Sequence, residues 1–483
     1  MRRTKIIATL SSKIPYDTLK EMAKFFDCAR INLSHGTYED YKIIVHNVRK
    51  IEKELRKYIP ILFDLSGPKI RITSLENPLT IQKGDVLTLS KEPIEGCLSI
   101  NFPEIIDALK KGQRVYIDDG KIRLKVKDKK KDKVFLESLT GGAINPKKGV
   151  NFPDTLLPLP SLTEKDIEDI KIIKKLGGDF VALSFVRHKN DLLELKEELI
   201  KVKLDIPIIA KIERPEAIPI LEEIINVAWG VMVARGDLGV EISLEKVPII
   251  QKKIIDTCRE KGKPVIVATQ ILETMVDKPE PTRAEVSDIA NAIFDGCDAL
   301  MLSGETAFGQ YPIESLKVLD TVAREAELHL KESKTISFDN YHFLKGDTTS
   351  AIAFSAVNAS INLNAKAIVT LTVSGQTATV LSKFRPKKTI YAASYKISTL
   401  RRVCILFGVI PLKLKKSTNT DILMFEMENA LLKQAKLKEG ELIIMTIGLP
   451  IAKEGNTNIM KIHKLGGYLP YKQHYLPKKK RKV

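Results

Sequence analysis

Apolar and polar positions alternate along this chain with two distinct periods. Eight short apolar runs end in polar residues: KIIATLS (5–11), ARINLSHG (29–36), PILFDLSG (60–67), DFVALSFV (179–186), PIIAKIE (207–213), GVMVARGD (230–237), PVIVATQ (264–270) and DALMLSGE (298–305). Between most of them apolar residues recur at spacings of three and four, as in YDTLKEMAKFF (16–26) and KDIEDIKIIKKLG (165–177), which predicts helices. In RPEAIPILEEII (214–225), Pro215 takes the first-turn position that proline favours. Strands alternating with helices predict a parallel sheet. Eight such units predict an α/β fold built on a closed (β/α)8 TIM barrel, with chemistry at the C-terminal ends of the strands.

More than 110 residues separate the third run from the fourth. Within them IRITSL, LTIQKGDVLTLS, RVYIDDGKIRLKVKD and KVFLESL alternate apolar with polar and are punctuated by Gly, Asp and Pro. Asp118-Asp119-Gly120 reads as a hairpin turn, and KDKKKDK (127–133) as a solvated hairpin tip. This predicts an all-β lid domain inserted in a barrel loop. After about residue 340 the pattern restarts with AKAIVTLTVSGQTATVLSKF, TIYAASY, LIIMTIGLPI and NIMKIHKL, a second α/β domain. The expected division is barrel 1–69, inserted lid 70–157, barrel 158–342, C-terminal α/β domain 343–470 and basic tail 471–483.

Hydrophobic content of 44% and charged content of 29% are ordinary for a globular protein. No apolar run reaches the length of a membrane span, and the apolar stretch of MRRTKIIATLSSK is too short for a signal peptide. Cysteines at 28, 97, 258, 297 and 404 form no CxxC pair, which argues against a disulfide framework or zinc site and leads us to expect a reducing cytoplasm. The net charge of +18 raises a nucleic-acid reading, but lysine is spread over the whole chain and anionic substrates favour the same balance. The ending PKKKRKV (477–483) holds five of the positive charges. It matches the nuclear localisation string of a viral large T antigen and reads as an added tag, a natural basic end or a nuclear signal.

The strand ends would gather Arg30, Asn32, Ser34, Asp64, Arg71, Ser184, Lys211, Glu213, Asp237, Thr269, Ser303 and Glu305 at the barrel mouth. Lys211 and Glu213, two apart at the end of a buried strand, share one face. Glu213 and Asp237 end adjacent strands, and two carboxylates without His or Cys suit a hard divalent cation such as Mg²⁺. Arg30 and Arg71 add fixed cations suited to phosphate oxygens. Three readings fit these residues: phosphoryl transfer, a structural ion-pair network at the rim, and aldol-type or enolate chemistry. In ARGDLGVE (234–241), Gly236 and Gly239 flank Asp237 and would let backbone N–H groups approach a carboxylate or phosphate.

In order along residues 2 to about 465, RRTKIIATL, ARINLSHGT, DLSGPKIR, YIDDGKI, KKGVNFP, LTEKDIEDI, AKIERPEAI, MVARGDLGVE, VATQILETM, PTRAEVSDIANAIFDG and MLSGETAFGQYP resemble pyruvate kinase. The resemblance implies transfer of the phosphoryl group of phosphoenolpyruvate to ADP, giving pyruvate and ATP in the cytoplasm as the last step of glycolysis. It implies Mg²⁺, or Mn²⁺, on Glu213 and Asp237, and Lys211 as the cation meeting the phosphoryl group and the enolate. It implies Thr269 near the enolate face, within the water network that delivers the proton. The substrate would be held by the backbone N–H groups of Gly236 and Asp237, with Ser184, Lys211 and Thr269 about it. Arg30 and Arg71 would steer phosphates, Arg71 toward the nucleotide together with Lys148 of the lid, Asn32 and His35. Asn32, Ser34, Asp64 and Leu65 stand at the family's monovalent-cation positions. A homotetramer is implied, without membrane or nucleic acid. With the chain ending soon after the C-terminal domain, the phosphotransfer module that some bacterial members append is expected to be missing.

Two departures matter. Lys69 stands where many members have Glu, and Leu65 where they have Thr. The Glu form goes with a K⁺ requirement, and a lysine ammonium could replace the ion, so activity without K⁺ is expected. ATLSSK stands where ATLGP is usual. In TVSGQTA (372–378), Thr372, Ser374, Gly375, Gln376 and Thr377 form a loop at a helix N-terminus that the family uses for a phosphorylated activator. Val373 supplies no charge, which points away from fructose 1,6-bisphosphate and toward a sugar or nucleotide monophosphate, or no effector. The alternatives are a metal-dependent lyase of the phosphoenolpyruvate/pyruvate type, which would need no nucleotide clamp, and a basic binding protein with a dead site.

Overall fold

A computed structural model describes residues 2–330, 347–417, 419–449 and 456–468. All eight apolar runs form strands: Lys5–Thr9, Cys28–Asn32, Ile61–Asp64, Phe180–Leu183, Ile208–Ile212, Gly230–Ala234, Val265–Ala268 and Ala299–Leu302. They pair in parallel in chain order, and Lys5 opposite Ala299 closes the eighth strand on the first. The strands are buried on both faces, which is why their sequences run apolar instead of alternating. Ile7, Cys28, Leu62, Ala182, Ile209 and Met232 fill the barrel interior. Ala210 and Ile212 point outward to the helices. Residues 209, 211 and 213 therefore share the inner face, and Lys211 and Glu213 rise from an apolar floor into the mouth.

The barrel helices carry legible ends. Thr37 with Asp40, Thr163 with Asp166 and Thr282 with Glu285 form reciprocal caps at helix N-termini, and Gly177, Gly262 and Gly296 take left-handed conformations at C-termini. The helix predicted over 165–177 covers Glu164–Leu176. The first helix is shorter than its pattern, Tyr16–Met22, because the chain must turn to enter the second strand at Cys28. Pro215 opens only a 3-10 turn, Pro215–Ala217, and the helix proper is Leu221–Val227. Pro219 lacks the N–H that would bond the carbonyl of Pro215, so a continuous helix cannot form.

Between the third and fourth barrel strands lies a five-stranded antiparallel sheet with a two-stranded ribbon. Its separate apolar core includes Ile70, Leu98, Ile117, Leu136, Phe152 and Leu157. Asp118 and Asp119 both turn through φ 53° between Arg114–Ile117 and Ile122–Lys130, the predicted hairpin. KDKKKDK is not all tip: Lys127–Lys130 continues the strand and Lys130 pairs with Lys133, so the turn is Lys131 and Asp132 alone. IRITSL forms no strand and contributes only isolated bridges at Arg71 and Ile72.

The C-terminal sheet places Ala367–Leu371, Thr389–Ser394, Val409–Lys413 and Leu442–Gly448 in parallel, with Thr457–Lys464 antiparallel at one edge. Ile405 of this domain is buried among the barrel's interior residues, a burial that contributes roughly 1.5–3 kcal/mol. The expected boundary at 342/343 and the tail 471–483 lie outside the described residues. Among the described residues no helix is long and apolar enough to cross a membrane. All five cysteines are free thiols.

Candidate active site

Five strand ends meet in one buried network. Arg30 donates through Nε (2.8 Å) and Nη2 (2.6 Å) to Asp64 Oδ2, and through Nη1 to Thr9 Oγ1 at 2.9 Å. Lys211 Nζ lies 3.2 Å from Asp64 Oδ1 and 2.9 Å from Glu213 Oε1, and donates to Ser184 Oγ at 2.7 Å. Ser184 Oγ donates in turn to the carbonyl of Leu65 at 2.8 Å. Thr9, Arg30, Asp64, Ser184 and Lys211 each stand two residues beyond an apolar floor residue, and Glu213 two further on, which fixes their heights. Burial opposes charge on Lys211, but Asp64 and Glu213 outweigh it and hold the ammonium well above its ordinary value. Burial likewise disfavours charge on Asp64, and Lys211 and Arg30 overcome it, so that carboxyl stays below the usual range.

Glu213 is shifted the other way. Burial raises its carboxyl, and the neighbouring charge of Asp237 adds to burial against the help of Lys211. Its Oε2 accepts from Phe185 N at 2.7 Å, and its buried Oε1 faces Lys211 Nζ at 2.9 Å. A buried carboxyl pushed up by burial and by a second carboxylate fits a divalent cation. Among the described residues no cluster of three or more His, Cys, Asp or Glu forms a cage, so further ligands would be substrate and water oxygens, as suits Mg²⁺.

Asp237 lies in the first turn of the short helix Arg235–Glu241, where backbone N–H groups have no intrahelical acceptor. Gly236 N donates to Thr269 Oγ1 at 2.7 Å, and that hydroxyl donates to the Ala268 carbonyl at 2.6 Å. A Cβ on Gly236 would stand 3.4 Å from Thr269 Oγ1, so the glycine permits this approach. Thr269 and Gln270 are both left-handed, at φ 65° and 53°, a costly conformation for a β-branched residue.

A family model described as "Pyruvate kinase, barrel domain" matches residues 1–316, and one described as "Pyruvate kinase, alpha/beta domain" matches residues 350–463. The chain belongs to the pyruvate kinase family. A relative named "Pyruvate kinase" from Staphylococcus epidermidis is 40% identical over 474 residues, covering 96% of this chain and 81% of the relative. One of the same name from Staphylococcus aureus is 41% identical over 477 residues, with the same coverage. Membership in this family makes the chain a phosphotransferase.

The remaining residues expected at the site from the sequence are dispersed around the mouth and the lid. Asn32 and Asp64 pair in register at the tops of adjacent strands, and Asn32 Oδ1 accepts from Ser34 N at 3.1 Å. Asp64, Asn32, Ser34 and Leu65 thus lie near one another, with the Asp64 oxygens and the Leu65 carbonyl engaged by Arg30, Lys211 and Ser184. Lys69 lines the junction of lid and barrel with Gly149, Arg214 and Asp237. His35 is pushed below its ordinary value by burial and by the charges of Arg71, Lys69, Arg30 and Lys165. Arg71 lines a second opening with Ser34, Lys69 and Lys165, and its Nη1 donates to the Lys147 carbonyl at 3.0 Å. Lys148 Nζ is paired with Asp118 Oδ1 at 2.8 Å within the lid. Ser303 N and Leu272 N saturate the Glu305 carboxylate at 2.7 and 3.1 Å, which makes Glu305 a brace for two loops.

In the C-terminal loop, Gly375 takes φ 94° ahead of the helix Gln376–Lys383 and donates to Thr372 Oγ1 at 2.9 Å. Thr377 Oγ1 meets Thr457 Oγ1 at 2.6 Å. The side chains of Ser374 and Gln376 make no hydrogen bond among the described residues.

Sequence reasoning missed three groups. Arg235 donates to the carbonyls of Thr269 and Gln270, and Glu241 binds Arg214 and the lid residue Asn151. Their partners are 34, 27 and 90 positions away, so no local spacing announces them. Phe308 stands exposed on a cavity wall, signalled only by an aromatic residue in a polar loop.

Proposed function

We propose that this chain transfers the phosphoryl group of phosphoenolpyruvate to ADP, giving pyruvate and ATP. The observation that carries this reading is Lys211, charged and fixed between Asp64 and Glu213, with the charge of a second carboxylate, Asp237, felt at Glu213. Glu213 and Asp237 would hold a divalent cation, which when bound neutralises phosphate and enolate charge. Lys211 stands where positive charge opposes the phosphoryl group in transfer. The bond between phosphorus and the enol oxygen breaks, and one to the terminal ADP oxygen forms. The enolate oxygen is left facing Lys211, and its carbon takes a proton near the Thr269 hydroxyl. Backbone N–H groups at Gly236 and Asp237 would orient the substrate carboxylate, with the Gly236 N–H exchanging its Thr269 partner for it. Arg30, Arg71, Asn32, His35 and Lys148 serve the nucleotide phosphates, and the lid excludes water so that the phosphoryl group reaches ADP.

Within the same reading the enzyme works without K⁺, because Lys69 brings a fixed positive charge to the cation positions Asn32, Ser34, Asp64 and Leu65. The loop of Thr372, Ser374, Gly375, Gln376 and Thr377 takes a phosphomonoester effector, the assembly is a homotetramer, and the compartment is the cytoplasm. A coupled pyruvate assay on wild type and Lys211→Met tests the central assignment. We expect a loss in kcat of at least about 100-fold; equal turnover would overturn it. Pyruvate formation that persists without ADP would instead support the lyase reading.

A further inference from the structure

Phe308 is the most exposed large apolar side chain among the described residues, at 78%. Single exposed apolar residues are common on protein surfaces, but the position of this one is not neutral. It lines a cavity of about 880 Å³ between the loops that follow the first, second and eighth barrel strands. Arg30, Asn32 and His35 line the same cavity, whereas Lys211, Glu213 and Asp237 do not. The cavity therefore leads away from the metal-holding carboxylates while keeping the Arg30 guanidinium at the mouth. Its volume is within the range of small-molecule sites.

The ring is held in place by its backbone. Phe308 ends the short helix Gly304–Ala307. A Cβ on Gly304 would come within 2.9 Å of Phe308 Cζ, so the ring tip rests against the glycine and its outer face stays bare. Two polar side chains of the opposite wall, Ser12 and Asp40, are already engaged with each other and with Thr37. Ser12 Oγ donates to Asp40 Oδ1 at 2.6 Å, and Asp40 Oδ2 accepts from Thr37 N and Oγ1 at 2.8 Å. Neither Ser12 nor Asp40 is spare for reading a base edge. A bare aromatic face in such a wall recognises flat rings by stacking, which tolerates differences in edge chemistry.

We propose that Phe308 is the specificity-determining platform for the base of the acceptor nucleoside diphosphate. It stacks purines better than pyrimidines and distinguishes adenine little from guanine. This rests on the proposed function, in which a nucleoside diphosphate is the acceptor.

The test measures KM for ADP, GDP, UDP and CDP at saturating phosphoenolpyruvate, and calorimetric Kd for ADP, in wild type, Phe308→Ala, Phe308→Leu and Phe308→Tyr. Loss of the ring should raise KM for ADP and GDP about tenfold. The effect on UDP and CDP should be smaller, and kcat and KM for phosphoenolpyruvate should stay within about twofold. Phe308→Leu should behave as Phe308→Ala, and Phe308→Tyr as wild type. Because the side chain is exposed, all three variants should melt with wild type. Unchanged ADP KM and Kd in both ring-less variants, or an equal rise for all four diphosphates, would overturn the proposal. Wild type that binds ADP tightly, loses it on Phe308→Ala and makes no pyruvate would uphold the platform and refute the proposed reaction.

Discussion

The guanidinium of Arg235 donates to the Thr269 carbonyl at 3.1 Å from Nε and 2.8 Å from Nη2, and to the Gln270 carbonyl at 2.7 Å. Asp288 Oδ2 holds its other arm at 2.6 Å. One fork thus clamps two consecutive left-handed residues, and Thr269 in turn sets Gly236 at the edge of the site. Arg235→Ala should let the Thr269 turn relax and reduce kcat about 100-fold, the scale of an ångström's misplacement. Arg235→Lys keeps the charge but not the fork and should fall between. A positioning role requires kcat to drop more than KM rises. Loss of thermal stability with kcat intact would mean that the clamp serves only the fold.

Lys69 forms no ion pair among the described residues, and its charge is felt at His35. In buffer whose only monovalent cation is tetramethylammonium, wild type should run within about twofold of its rate with K⁺. Lys69→Glu should be slow there and recover on adding K⁺, since the substitution restores an anionic position. Wild type that turns over only with K⁺ would defeat this expectation.

What was legible in the chain depended on how local the physics was. Eight buried strands were legible because parallel strands covered on both faces must be apolar. Lys211 and Glu213 stood out for the same reason, as charges where such a strand should have none. Pro215 misled because its own φ suits a helix start, while the obstruction comes from Pro219 four residues later. KDKKKDK misled because composition reports solvation, and a solvated strand edge and a solvated turn look alike. Arg235, Glu241 and Phe308 act through partners that only the closed barrel and docked lid bring near.

The loop ahead of Gln376–Lys383 gives a direct test of regulation. The side chains of Ser374 and Gln376 make no hydrogen bond among the described residues, whereas Thr372 and Thr377 are bonded internally. If a phosphomonoester binds at this helix N-terminus, activators of that class should shift the phosphoenolpyruvate saturation curve. Ser374→Asp should abolish the shift by like-charge repulsion while leaving the unactivated rate near that of wild type. A full response in Ser374→Asp would move the effector elsewhere.

Asn151 of the lid donates to Glu241 Oε1 at 2.8 Å, and Arg214 Nη1 lies 2.8 Å from the same oxygen. The contact fastens the lid to the helix that carries Asp237. Asn151→Ala removes one neutral-to-charged hydrogen bond, worth about 1.5–3 kcal/mol when buried. Part of that loss should appear as a three- to tenfold (~) rise in KM for both substrates through a more open lid. Amide exchange in residues 150–157 should quicken, with barrel amides unaffected. Unchanged exchange there would show that the lid is held by its other contacts.

Lys383 tests the seam between barrel and C-terminal domain. Burial, reinforced by the charge of Lys263 against Asp298 and Asp347, pushes its ammonium from the ordinary 10.5 down to about 7. Gly262 makes room for it, since a Cβ there would collide with the Lys383 chain. Between about 7 and 10.5 the unfolded chain binds a proton that the folded chain does not. The unfolded state therefore holds more protons in that window, and stability contributed by this group rises with pH. Below about 7 the folded protein carries the full cost of a buried charge. Lys383→Met should raise unfolding free energy at pH 6 by on the order of 2–4 kcal/mol. Its advantage over wild type should shrink steadily to pH 10. Denaturant unfolding of both proteins across this range measures the difference, and a gap that stays constant with pH would mean that Lys383 titrates normally.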